Sequence, residues 1–493
     1  MSDLVRERAA QYEIVSDEHA FRALEQEWNA LWRRAQGRYY QAFNVCLLAW
    51  QYVAKPVGRD LRCIVARLDG RVVMIWPLVT YRKWLWRYAL PLSPDAGDYT
   101  SVLVEDGHSA AALVAGAWDT ARRRCHPDFM LLPYLRESQE LYRVASRERH
   151  TLLASRHDAW VAELSHESHW DTYCQSLGTL FRKKPGAFAR RLAKEGNVTV
   201  SMTDPADIET HRRLVDWMLS QKQTWGQRVD KSESWISSPR YRDFLVHLLS
   251  PQSSEPLSES NERSNAASTA ASTASSTIAS TVDSTVKSPF ASPLASNEER
   301  FSESIAETTQ APIARMIVVT LDGAPVAALI TSIGNPCANA IISGFDANHG
   351  KASPGTIAVE HAVRWAFDHG WDLDFGVGTE QFKSYWSRGN ATSAWTLHVI
   401  TSRWGRTAVA LKHAFKHALH RINQARVTRT IATGNASASP LSRSPVGNPA
   451  HDHEDDHDQQ VAHPRPITRD ASEFASHIDH TRHDSSRFRM KAD

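Results

Sequence analysis

The chain has 493 residues, 42% hydrophobic and 23% charged, with a formal net charge of +2 at pH 7. That length allows two or three domains with sizeable cores. So small a positive excess gives no ground for nucleic-acid binding, which needs basic residues gathered on one face.

Five cysteines (Cys46, Cys63, Cys125, Cys174 and Cys337) are scattered without a CxxC pair, which argues against a disulfide framework or a zinc site and fits a reducing compartment. The start, "MSDLVRERAAQYEIVSD", lacks the apolar core of a signal peptide. No run approaches the roughly 20 apolar residues needed to span a bilayer, so a cytoplasmic location is expected.

In chain order, residues Ile14 to Arg34 read as a short strand and a helix, and Leu61 to Val79 as two strands around Asp69-Gly70. A helix from about Ser109 to Arg124 and a strand "DFMLL" at Asp128 to Leu132 follow. The pattern then returns: "AWVAEL" and a helix between Ala159 and Arg182, a hairpin from Ala314 to Ser332 around Asp322-Gly323, a helix from about Pro354 to His369, and "DLDFG" at Asp372 to Gly376. Between the elements of this second round, residues 251–312 become Ser/Thr/Ala-rich ("SNAASTAASTASSTIAST") and predict a disordered insertion. Residues 429–493 predict a disordered tail; its "HDHEDDHD" run lacks the scaffold of a metal site. A tandem duplication is therefore expected: a first domain over 1–158 and a second over 159–428.

The segment "HGKASPGTIAVEHAVRWAFDHGWDLDFGVG", His349 to Gly378, concentrates the candidate chemistry. Ser353 suits an N-cap and Pro354 the first helical position. Gly355 and Thr356 leave little bulk over the first turn, whose free N–H groups and positive dipole end suit a phosphate. Gly350 and Lys351 add flexibility and charge. Simple capping accounts for the same residues. The first half lacks such a turn, so it is read as a degenerate copy whose Asp95, Asp98 and Tyr99 shape an acceptor groove or merely form turns.

Hairpin, "SGFD", small-residue turn, helix and "DFGVG" together resemble the core of the GNAT acyltransferases. More narrowly, "SPG…DFGVGTEQFKSYW" is similar to the CelD-like acetyltransferases associated with cellulose and exopolysaccharide biosynthesis. The resemblance covers about Phe21 to Arg421 without the insertion, and it departs from the usual turn by supplying one Gly where two small positions are common. It implies an α/β fold of two tandem GNAT-like mixed-sheet domains with helices on both faces. It further implies acyl-CoA as cosubstrate, no metal, and Gly350, Lys351, Ser353, Gly355 and Thr356 at the pyrophosphate.

On this reading Glu380 is a general base or amine ligand, Lys383 an anion or carbonyl contact, Tyr385 a proton donor to the leaving thiolate, and Asp374 an orienting group. The plain alternatives are loop solvation for Glu380, surface exposure for Lys383, packing for Tyr385 and capping of a neighbouring turn for Asp374. Lys222 and Trp225 would flank a sugar or acyl chain, and the basic stretch "FRKKPGAFARRLAK" would meet coenzyme A phosphates or solvent. The helix from about Trp404 to Arg426 either packs on its own domain or lies on an anionic membrane. The expected acceptor is a small molecule or saccharide, with no nucleic acid; peripheral membrane or polysaccharide-synthase association is a further expectation. Two rivals remain: a Fem-type aminoacyl-tRNA-dependent transferase and a non-catalytic scaffold of a polysaccharide synthesis complex.

Overall fold

The computed structural model describes residues 10–94, 99–107, 109–228, 234–251, 313–334, 336–407, 409–411 and 414. The insertion expected after residue 251, the tail, most of the 404–426 helix, Asp95 and Asp98 lie outside the described residues.

The first half comprises β1 (Gln11–Val15), α1 (Glu18–Ala23), α2 (Glu25–Arg34), α3 (Phe43–Leu48), β2 (Asp60–Leu68), β3 (Arg71–Lys83), β4 (Trp86–Pro91), β5 (Leu103–Val104), α4 (Ala110–Thr120), β6 (Phe129–Arg136), α5 (Glu140–Ala145) and β7 (Thr151–Ala162). Two short helices, α6 (Trp170–Ser176) and α7 (Ala187–Leu192), lead on. The second half comprises β8 (Val198–Met202), α8 (Ile208–Arg228), α9 (Pro239–Leu249), β9 (Ala314–Leu321), β10 (Ala324–Ser332), β11 (Cys337–Phe345), α10 (Pro354–Asp368), β12 (Asp372–Val377), α11 (Gln381–Trp386) and β13 (Ala391–Ile400).

Both halves share one mixed sheet in the order β1-β2-β3-β4-β6-β13-β7-β12-β11-β10-β9-β8, with β5 beside β3. Each half repeats an antiparallel run closed by one parallel pair, β4 with β6 and β11 with β12. The two predicted hairpins are present as β2–β3 and β9–β10. Their turns put both central residues in the left-handed region, Asp69 and Gly70 at φ 51° and 81°, Asp322 and Gly323 at φ 50° and 83°. Asp-Gly suits that geometry because glycine meets no Cβ clash there and aspartate tolerates it.

The repeat begins later than the sequence suggested. β8 pairs with β9 as β1 pairs with β2, so the counterpart of Ile14 to Arg34 starts at Val198 rather than at Ala159. "AWVAEL" is instead the end of β7, and the strand-then-helix pattern misled because α6 follows it at a similar spacing.

Side-chain alternation along the strands feeds separate cores on the two faces. On β2, Leu61, Cys63 and Val65 join a core with α1–α3, α8 and α9, while Ile64 and Ala66 join one with α4. On β10, Ala328 and Ile330 join the first core, while Ala327 and Leu329 meet α6, α7 and α10. The mixed α/β class with helices on both faces thus holds. α10 is fixed by burial of Ile357, Ala358, Val359, Ala362, Val363 and Ala366; each fully buried aliphatic of Val or Ile size contributes about 1.5–3 kcal/mol. That anchors its N-terminus at the parallel pair.

Candidate functional site

β11 and β12 pair only through Cys337–Asp372, Ala338–Leu373 and Asn339–Asp374, although β11 runs on to Phe345. Beyond those pairs a cleft of about 460 Å³ opens, with α8, α10 and α11 contributing to its walls. Gly350, Ser353, Gly355, Thr356, Lys222, Trp225, Glu380 and Lys383 all line it. Residues far apart in sequence thus line one cleft.

The start of α10 differs in detail from a serine cap. Ser353 occupies the left-handed region, φ 52° and ψ 57°, and its side chain does not cap the helix. Its hydroxyl donates to Gly350 O at 3.2 Å. A non-glycine residue held there carries strain, a feature that clusters at ligand sites. The Thr356 N–H turns back to Ser353 O at 2.9 Å; that of Gly355 lies in the first turn, where a helix supplies no acceptor. A Cβ on Gly355 would stand 3.1 Å from Phe345 Cδ1, so this glycine lets the helix start pack closely on β11. Lys351 is exposed and is not among the lining residues.

Gly344 performs a related task for α8. A Cβ there would overlap Met218 O and stand 2.9 Å from Met218 Cγ. This close approach brings the next turns of α8, with Gln221, Lys222 and Trp225, over the cleft. Lys222 Nζ lies 5.9 Å from the centre of the Trp225 ring, within cation–π range.

At the β12–α11 corner the Glu380 carboxylate and the Lys383 ammonium lie 3.1 Å apart. Lys383 is only 9% exposed and donates from Nζ to Val377 O at 2.6 Å, so it is not the exposed surface lysine that sequence allows. Gly378 explains the glycine of "DFGVG". Its φ is +146°, and a Cβ would overlap Glu380 Oε2 and stand 2.6 Å from Lys383 Nζ. The missing side chain is the space the pair occupies.

Asp374, Tyr385 and Tyr99 do not line this cleft. Asp374 is 2% exposed; its carboxylate accepts from Tyr99 Oη at 3.1 Å, from Gly376 N at 2.8 Å and from the Arg136 guanidinium. Arg136 lies over the Tyr99 ring at 4.3 Å. This replaces the orienting role read from sequence with a tie between the halves, since β6 carries Arg136 and β12 carries Asp374. Burial, then the Asp374 charge, pushes the Tyr99 phenol up. Tyr99 lines a separate cavity of about 20 Å³ with Tyr40 and Pro91, too small for an acceptor.

The Tyr385 hydroxyl is buried, has no hydrogen-bond partner among the described residues, and is pushed up to about 12 by burial. Its ring packs at 5.1 Å on Trp386, away from the cleft lining. The neighbouring Glu360 on α10 accepts from Gly186 N–H at 2.6 Å, yet burial raises its carboxyl to about 7.

Sequence reasoning missed the apolar walls Phe181, Ile342, Phe345, Val359, Phe375 and Phe382. Only the "SGFD" step next to Gly344 carried a local signal for one of them. Among the described residues no group of three or more His, Cys, Asp or Glu side chains gathers as a metal site. The arrangement places a helix start, apolar side chains and a carboxylate–ammonium pair around one cleft.

No curated protein sequence matches the chain. Among solved structures, FemX aligns with TM-score 0.44 and 11% identity over 79% of this chain and 98% of its own. The C-terminal domain of a putative lysylphosphatidylglycerol synthetase from Agrobacterium fabrum aligns with TM-score 0.42 and 11% identity over 80% and 96%. A tandem GNAT protein from the clavulanic acid biosynthesis pathway gives TM-score 0.36 and 12% identity over 79% and 98%. Residues 284–384, the stretch holding β9 to β12, α10 and the Glu380–Lys383 corner, match the family model of the acetyltransferase (GNAT) domain.

Proposed function

We propose that the chain transfers an acetyl or longer acyl group from acyl-coenzyme A to an amine or hydroxyl of a sugar or other cell-envelope or exopolysaccharide precursor. The observation that supports this most is the cleft between two parallel strands that pair at one end only, with a helix start among its walls. The residues fit such a cosubstrate: the Gly355 amide and the positive end of the helix dipole suit its diphosphate, and the Phe345, Val359 and Phe375 walls suit an extended, largely apolar arm. The match to an acetyltransferase domain and the CelD-like motif order agree with it.

The thioester supplies an activated carbonyl carbon. The acceptor nitrogen or oxygen bonds to that carbon as the carbon–sulfur bond breaks; Glu380 takes the acceptor's proton, and solvent protonates the departing thiolate. Lys383, held by Val377 O, fixes the Glu380 carboxylate at the cleft. Because Tyr385 is not among the lining residues, its use as the proton donor is dropped.

Calorimetric titration with acetyl-coenzyme A and longer acyl forms tests the reading. Binding is expected, and Thr356→Trp, which fills the cleft beside the helix start, should weaken it at least about tenfold, or about 1.4 kcal/mol. Heat with none of the acyl forms would leave the scaffold reading; binding to aminoacyl-tRNA alone would leave the Fem-type one. An acceptor screen that follows thiol release then identifies the substrate.

A further inference from the structure

One end of the sheet carries residues that folding does not call for. β3 and β4 join through a two-residue turn, Trp84-Leu85, between the paired Lys83 and Trp86. Trp84 takes φ 60°, where hairpin turns place Gly, Asn or Asp. Trp84 is 83% and Leu85 69% exposed, so neither side chain offsets the strain by packing. Local rules broken without a folding gain point to function.

The same end gathers further apolar groups. Asp128, at the start of β6, accepts from Arg87 N at 2.8 Å, from Thr401 N at 3.0 Å and from Ser402 Oγ at 2.5 Å, joining the turn's strand to the end of β13. Residues 403–407 and 409–411 are helical. Gly405 backs onto this joint, since its Cβ would stand 2.8 Å from Asp128 O. Trp404 and Leu411, seven residues apart and so on one helix face, are exposed. Leu152, at the start of β7 next to the end of β13, is exposed as well. Five of the seven exposed large apolar side chains among the described residues therefore belong to segments that meet here.

Cations accompany them. Arg82, Arg124, Arg403 and Arg406 are exposed and Arg87 is half-buried. Arg87 and Arg124 donate to backbone carbonyls, Cys125 O at 3.1 Å and Tyr12 O at 3.0 Å, which leaves their charge intact.

We propose that this end of the sheet docks peripherally on an anionic lipid bilayer, with Trp84, Leu85 and Trp404 entering the headgroup region. Protruding aromatic and aliphatic tips ringed by arginines fit an interface whose surface is negative and whose interior is apolar. An acidic protein partner fits less well, because the apolar residues stand on separate tips instead of lining a groove. No described helix is long and apolar enough to cross a membrane, so the contact is superficial. β11, β12 and β13 all run opposite to β7 or alongside its neighbour, so the strand ends at the cleft point toward this same end.

The full chain should sediment with vesicles of about seven parts phosphatidylcholine to three of phosphatidylglycerol, and far less with phosphatidylcholine alone or at high salt. The double variant Trp84→Ser/Leu85→Ser should lower that affinity about tenfold or more. Its thermal unfolding should match the parent, because both side chains are exposed. Absent binding, equal binding to neutral and anionic vesicles, or undiminished binding by the double variant each overturns the proposal.

Discussion

Gly378→Ala adds one methyl group at the centre of the proposed site, and the cost can be worked from its surroundings. The residue turns through φ +146°, a region that side chains enter only at about 1–3 kcal/mol. The new Cβ would overlap Glu380 Oε2 and crowd Lys383 Nζ at 2.6 Å. Glu380 is partly exposed and swings aside at little cost, because half-solvated ion pairs contribute little. Lys383 has no such freedom: moving its buried ammonium breaks the bond to Val377 O, a charge-assisted hydrogen bond of about 1.5–3 kcal/mol. Together these give a loss of about 2.5–6 kcal/mol. Gly370→Ala supplies the control, because Gly370 has φ +65° with nothing within 4 Å of an added Cβ; backbone strain alone costs about 1–2 kcal/mol there. Urea unfolding followed by circular dichroism reads both. If the two variants lose the same stability to within about 0.5 kcal/mol, the glycine does not exist to house the Glu380–Lys383 pair.

Asp374→Ala should destabilise by about 3–5 kcal/mol, because it strands a buried arginine together with the Tyr99 hydroxyl and the Gly376 amide; adding Arg136→Met should restore part of the loss in urea titrations. The Glu360 carboxyl, raised from its ordinary 4.5 to about 7, binds its proton more tightly in the folded chain. Stability from this group is therefore full below pH 4.5 and falls as pH rises to about 7. Glu360→Gln should remove that slope and gain at most about 3 kcal/mol at pH 8, which unfolding curves at several pH values would reveal. Lys222→Glu should weaken acetyl-coenzyme A binding about tenfold at low salt and by less at high salt; calorimetry showing no change would remove Lys222 from the anion's surroundings.

Local chemistry explains what sequence could reveal. Asp69-Gly70 and Asp322-Gly323 specify their turns through backbone preference alone, and the flanking alternation fixes which face each strand residue takes. The motif from Gly350 to Lys383 was readable because most of one cleft wall is contiguous in the chain. The partners of that wall were not. Phe181, Gln221 and Trp225 come from separate elements, and nothing near Arg136 announces a carboxylate at Asp374, more than two hundred residues away. Ser353 misled because its residue type fits a cap, whereas its backbone is left-handed and its hydroxyl turns back to Gly350 O. The strand order was hidden as well, since "ATSAWTLHVI" (β13) reads like any half-buried strand and carries no mark of its neighbours.

β13, the last strand of the second half, lies between β6 and β7, while β7, the last of the first, lies between β13 and β12. β7 finds both of its partners, β13 and β12, only in the second half, and β6 finds β13 there, so the first half alone leaves three strand edges unpaired. Unpaired edges invite wrong partners, so truncation before residue 391 should yield aggregates in place of a smaller soluble protein.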